Sequence, residues 1–137
     1  VNTERQAETL KVLGDATRLR LAALLAAKGE VCVCRLAEAL GEPDFKVSRH
    51  LAVMRAAGLV EVDRHGVWKY YRLAKPATSF HAAVLSLLLA CAKECEGIQA
   101  DLARFDERRC GEDGPAQGGP AGRCKPVVAA GQGRAKG

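Results

Sequence analysis

The chain has 137 residues, 48% hydrophobic and 4% aromatic, with a formal charge of +5. That allows one small domain with an aliphatic core and a tail, and the charge favours an anionic partner, nucleic acid before membrane. The most apolar run, residues 82–92, is too short to span a bilayer, and no signal peptide opens the chain, so a cytoplasmic address with six reduced cysteines is expected rather than a secreted disulfide framework.

Residues 2–13 read as a helix with Leu10 and Leu13 on one side. Gly14 breaks it, Asp15 caps a second helix, and Leu19, Leu21, Leu24 and Leu25 carry the apolar period up to Gly29. A short helix is predicted over 32–41, stopped by Gly41. Another is predicted over 42–58, with Pro43 and Asp44 in its first turn and Val47, Leu51 and Met54 on one face. Two short helices joined by a tight turn form a helix-turn-helix. The period then becomes alternating over 59–73 around His65-Gly66, the pattern of a β-hairpin, and this order of elements is that of a winged helix.

After Pro76 one long helix is expected to about Arg109. Val84, Leu88, Cys91, Cys95, Ile98, Leu102 and Phe105 recur in it at alternating spacings of four and three, a heptad seam that asks for a partner helix. The expected fold is therefore mainly α with a β-hairpin (α+β), a winged helix-turn-helix over 1–110 that dimerises through its N- and C-terminal helices. Leu10, Leu13, Val84, Leu88, Cys91, Cys95, Ile98 and Leu102 are the expected dimer interface. Residues 111–137, rich in Gly, Pro and Ala with no usable period, read as a disordered tail.

The helix over 42–58 carries Lys46, Ser48, Arg49 and His50 near the end that enters the major groove in a helix-turn-helix. Lys46 or Arg49 can read guanine edges or hold phosphates, and Ser48 suits phosphate contact. Arg64 and Lys69 flank the wing tip. Asp44 repels phosphate, so it acts as a cap or accepts a hydrogen bond from cytosine. No phosphate loop and no Ser/His/Asp set suggests catalysis, and no cofactor is implied.

Cys32 and Cys34 stand at the head of the third helix. If both were helical, they would point about 200° apart. Close cysteine pairs in a reduced chain point to metal, metalloid or redox chemistry.

Residues 30–40 (EVCVCRLAEAL), 46–60 (KVSRHLAVMRAAGLV) and 66–73 (GVWKYYRL), in this order and spacing, resemble the arsenical-resistance repressors of the ArsR/SmtB family, over residues 5–110 or so. The resemblance implies a homodimeric winged helix that represses a resistance operon by binding double-stranded operator DNA, and that leaves it when As(III) or Sb(III) is bound. Cys32 and Cys34 are then the metalloid ligands. As(III) is soft and thiolate-seeking, and a helix N-terminus favours the thiolate. Because the thiols diverge on an intact helix, joint ligation is expected to unwind the first turn and misplace the recognition helix.

Some such repressors carry a third cysteine three residues after the second, where this chain has Ala37. Cys91 and Cys95, four apart, form a possible second thiol site, with Cys110 and then Cys124 as weaker candidates. Three alternatives stay open: a redox or persulfide sensor pairing Cys32 or Cys34 with Cys91 or Cys95, a Cd(II)- or Zn(II)-responsive repressor, and, from another class, a thiol-dependent arsenic-handling enzyme or metallochaperone.

Overall fold

In a computed structural model of the chain, residues 2–107 are described. The order is α1 (Thr3–Leu13), α2 (Ala16–Lys28), β1 (Val31–Cys32), α3 (Val33–Leu40), α4 (Asp44–Ala56), β2 (Val60–His65), β3 (Trp68–Leu73), α5 (Ser79–Glu94) and α6 (Glu96–Glu107). The expected tail, with Cys110 and Cys124, lies outside the described residues.

Most boundaries fall where the sequence puts its caps. Asn2 and Asp15 accept hydrogen bonds from the Arg5 and Arg18 amides at 2.8 and 3.1 Å, which fixes the starts of α1 and α2. Gly41 ends α3 in the left-handed region at φ 70°, and the turn into α4 follows from it. The hairpin has a two-residue loop, Gly66-Val67, between the paired residues His65 and Trp68, with Gly66 at φ 70°.

Helix α2 is the centre of the core. Its Leu21, Leu24 and Leu25 are fully buried together with Leu36 of α3, Val47, Leu51 and Met54 of α4, and Leu88 of α5. The faces read from periodicity in α2 and α4 are the faces that bury.

Two elements differ from the sequence reading. First, a short strand precedes α3: Val31 pairs with Tyr71 and Cys32 with Tyr70, making a three-stranded antiparallel sheet in the order β1-β3-β2. Second, the long final helix is broken at Cys95, whose backbone is extended (φ −88°, ψ 121°). Its amide still bonds the Cys91 carbonyl at 2.9 Å while its own carbonyl accepts from the Gln99 amide at 2.9 Å, so one residue closes α5 and opens α6. Glu96 suits a helix N-terminus and Gly97 is a poor interior helix residue, so the local sequence tolerates a restart. The break lets α5 lie along α2 while α6 turns onto α3 and α2.

The heptad seam is accordingly spent within the chain. Leu13, Val84, Leu88 and Ile98 are buried in the protomer's own core, so they cannot be the surface that first meets a second copy. Cys91, Cys95 and Leu102 are half-buried against Ala23, Ala92 and Ile98. The exposed large apolar side chains of α1 and α5 are Leu10, Leu87 and Leu89.

Candidate functional site

Helix α3 begins one residue later than the sequence suggests, and that residue decides the geometry of the thiols. Cys32 is the N-cap of α3, with extended backbone at φ −82° and ψ 159°, and Cys34 lies in the first turn. An extended N-cap directs its side chain back over the first turn, as a capping serine does to reach the N2 or N3 amide. The Sγ atoms of Cys32 and Cys34 therefore stand 3.5 Å apart instead of on opposite sides of a helix. The expectation that joint ligation must unwind the first turn is thereby overturned. Two sulfurs about 2.3 Å from a tetrahedral ion stand roughly 3.8 Å apart, so this pair already has the span of two ligands on one ion.

The pair is buried: Cys32 is 5% and Cys34 6% exposed, with Tyr70 of β3 packed against them. Ala37, one turn further along α3, is buried in the main core. Sequence reasoning missed Tyr70, because the strand that carries Cys32 beside it is only two residues long.

Beside Cys32 opens a cavity of 260 Å³ whose walls include Val33, Asp44 and Ser48 of the two short helices and Trp68 and Lys69 of the wing. It joins the thiol region to the helix and hairpin that carry the exposed basic groups. On α4, Lys46, Ser48 and Arg49 are exposed. Lys46 Nζ lies 3.1 Å from Glu42 Oε1, and the Arg49 guanidinium sits over the exposed Phe45 ring at 5.9 Å. Asp44 occupies the first turn of α4 behind Pro43, which takes the N-cap position. At the wing, Arg64 and Lys69 are exposed cross-strand partners. The outward basic groups of α4 and of the hairpin are thus on the two elements that frame one cavity.

His50 is placed differently. It is half-buried, and its Nδ1 lies 3.3 Å from Arg18 Nη1, while Arg18 Nε donates to the Val12 carbonyl at 2.8 Å. The Arg18 amide, then the charges of Arg18 and His50, hold the Asp15 carboxyl below the usual range despite some burial. His50 thus ties α4 to the start of α2.

A second structural feature absent from the sequence reading grips the far end of α3. Asp101 of α6 is fully buried and takes a two-pronged bond from Arg20 (Nε and Nη2, both 2.8 Å) and one from Arg104 at 2.7 Å. The same arginines donate to the Leu40 and Ala39 carbonyls, at 3.1 and 2.8 Å. Hydrogen bonding to Asp101 also raises the Arg20 pKa further above its ordinary value. Arg35, near the start of α3, lies 3.8 Å from the Phe105 ring centroid. Helix α3 is therefore clamped to α6 at both ends of their contact.

Comparison with known proteins gives this arrangement a family. Residues 15–62, from the start of α2 into β2, match the family described as bacterial regulatory protein, arsR family. The "Arsenical resistance operon repressor" of Escherichia coli (strain K12) is 36% identical over 106 residues, covering 77% of this chain and 89% of that protein. The chain belongs to the arsR family of bacterial regulatory proteins. Within the family, the "Arsenic resistance transcriptional regulator ArsR1" of Pseudomonas putida (strain KT2440) is 51% identical over 99 residues, 72% of this chain and 77% of its own length. Among solved structures, the homodimeric winged helix-turn-helix DNA-binding domain from Mycobacterium bovis, a possible ArsR-family transcriptional regulator, superposes with a TM-score of 0.55. It is 33% identical, covering 66% of this chain and 81% of that one. The winged helix-turn-helix expected from the sequence is thus the observed fold, and the arsR-family assignment makes the chain a transcriptional regulator rather than an enzyme. No helix among the described residues is long and apolar enough to cross a membrane.

Proposed function

We propose that this arsR-family regulator is a metalloid-responsive repressor. As a homodimer it holds operator DNA through α4 and the wing, and it releases the operator when Cys32 and Cys34 bind As(III) or Sb(III). The observation that carries the reading is the thiol pair: two sulfurs 3.5 Å apart, buried at the first turn of the helix that packs against α4. Soft thiolates select soft ions. The arsenical-resistance names of the two regulators described above point the same way.

The switch works by packing rather than by unwinding. An ion and its third ligand need volume next to sulfurs already covered by Tyr70, and close-packed interiors yield by shifting whole elements. Cys32 belongs to the wing sheet and Cys34 to α3, so the added volume displaces the wing and α3 relative to α4. The metalloid therefore binds the displaced state better, which is the condition for shifting an equilibrium, and a coupling of about 1–3 kcal/mol changes affinity roughly 5–150-fold.

Lys46, Ser48 and Arg49 face the major groove, and Arg64 and Lys69 the backbone beside it, while His50 acts by holding α4 against α2. Leu10 and the outward leucines of α5 carry the dimer contact. A second soft-ion site at Cys91 and Cys95 remains part of the proposal. A repressor of this kind works in the cytoplasm, where operator and inducer meet.

The test is an operator-binding titration with As(III), Sb(III), Cd(II), Zn(II) and polysulfide on the native protein and on Cys32→Ser, Cys34→Ser, Cys91→Ser and Cys95→Ser. Native protein should leave the operator with As(III) or Sb(III). Cys32→Ser or Cys34→Ser should bind the operator normally and no longer respond. Release by polysulfide alone makes the protein a redox sensor instead, which the closeness of the two sulfurs also permits.

A further inference from the structure

The outer face of the wing sheet holds a second group of ligand side chains, chemically unlike the thiols. Glu30, Asp63 and His65 each offer one ligand atom, and these atoms all lie within 4.8 Å of one another. The sheet register brings them together. Asp63 and His65 are two apart on β2 and so share a face. Tyr70 of β3 lies opposite Asp63 on one side and Cys32 on the other, and Arg72 lies opposite Glu61. Glu30 immediately precedes β1 and reaches over β3 from the far edge. The His65 ring rests edge-on against Tyr70 at 5.1 Å between centroids.

Arg72 fills the middle of the group. One of its terminal nitrogens is 2.6 Å from Asp63 and 3.5 Å from Glu30, and the other is 2.9 Å from Glu61. The place is thus arranged around positive charge. Its present occupant can leave, since Arg72 is partly exposed and keeps Glu61 after giving up the other two carboxylates.

We propose that Glu30, Asp63 and His65 form a site for a borderline divalent cation of the Zn(II) class, which enters as Arg72 swings onto Glu61. One imidazole and two carboxylates are a three-ligand set that such ions accept with water completing the shell. Ligand atoms about 2.0–2.2 Å from a tetrahedral ion stand roughly 3.3–3.6 Å apart. The 4.8 Å spread therefore closes by roughly 1.2–1.5 Å, within reach of rotations of these solvent-facing side chains. The two carboxylates balance the ion's charge once the guanidinium has left. Soft As(III) has little use for such donors, so the thiol pair and the wing group sort ions by softness. A bound cation ties the segment leading into Cys32 to the far wing strand across β3, and so stiffens the wing without touching a sulfur.

The experiment is a Co(II) titration of the full-length protein followed by competition with Zn(II), read in the visible and near-ultraviolet, on the native chain and on Cys32→Ser/Cys34→Ser. With Cys91 and Cys95 also replaced by serine, so that neither proposed thiol site remains, the variant should take up one equivalent per chain, with d–d bands, no thiolate charge-transfer band, and displacement by Zn(II). Glu30→Gln and His65→Ala should each weaken that binding by about tenfold or more, and Arg72→Gln should strengthen it. Unchanged Co(II) affinity in Glu30→Gln and His65→Ala overturns the site, as does a cobalt spectrum made up of thiolate charge transfer alone. An Arg72→Gln protein that binds no tighter overturns the displacement of the guanidinium.

Discussion

Burial pushes the Cys91 thiol up, the neighbouring Cys95 adds to the push, and the Glu94 carboxylate adds a little more. Thiolate is the form that reacts and binds ions, so a soft ion arriving between Cys91 and Cys95 must first drive off a firmly held proton. The sign follows from linkage. A thiol whose folded pKa lies above its unfolded value, ordinarily about 8.5, contributes its full stability below that value and loses it as pH rises through the folded pKa. Alkylation of Cys91 by iodoacetamide, followed by peptide mass spectrometry across pH, should stay slow through neutrality and accelerate only above the range of an ordinary thiol. Labelling at pH 7 as fast as a free cysteine peptide would contradict the shift. The placing of Cys32 and Cys34 at the head of α3 was legible from their spacing and neighbours. Their 3.5 Å separation was not, because it depends on whether Cys32 is the last extended residue or the first helical one.

Among elements, the sequence was clear wherever a cap, a glycine or a change of period marks a boundary, as at Asp15, Gly41 and the 65–68 hairpin turn. It was silent on β1, since two residues leave no period to detect. The spacing from Val84 to Phe105 correctly recorded a buried stripe, but periodicity does not say what buries it. Here α2 and α3 of the same chain do so, across a break that the alternating spacings conceal. Asp101 was equally hidden: a lone aspartate in a polar stretch gives no sign that two arginines from different elements will meet on it. That knot has a measurable weight. Asp101→Asn leaves Arg20 and Arg104 facing a neutral group in the core, and should destabilise the fold by about 3 kcal/mol. That is the low end for breaking a buried pair, because both arginines reach solvent. Urea denaturation at fixed dimer concentration measures it. Arg104→Ala, removing the more exposed partner, should cost clearly less. Equal losses would mean that Asp101 is held chiefly by Arg104 and that the Arg20 fork contributes little.

At the scale of the whole molecule, the clamp and the thiols divide the work along α3. Its C-terminal end is fixed to α6 through Arg20, Arg104 and Asp101, and its N-terminal end shares Tyr70 and the cavity with the wing and α4. Under the proposed function, a push delivered at Cys32 and Cys34 meets the contact with α6 on one side and the basic surface on the other, so displacement is steered toward the elements proposed to hold DNA. How much of the grip on DNA is electrostatic can be read from salt. The formal charge of +5 per chain is modest, so individual exposed cations carry much of it. Arg49 is exposed on α4, its guanidinium 5.9 Å over the Phe45 ring, and so can reach a phosphate or a base edge. Each phosphate neutralised contributes about 0.9 to the slope of log affinity against log salt, and a dimer carries two copies. Arg49→Ala should therefore weaken operator binding and lower the slope by roughly two, as measured by fluorescence anisotropy over a salt series. If affinity falls but the slope is unchanged, Arg49 reads a base edge without neutralising phosphate. If neither moves, α4 meets DNA through other residues, and the turn of surface that faces the groove must be reassigned from Arg49 toward Lys46 and Ser48.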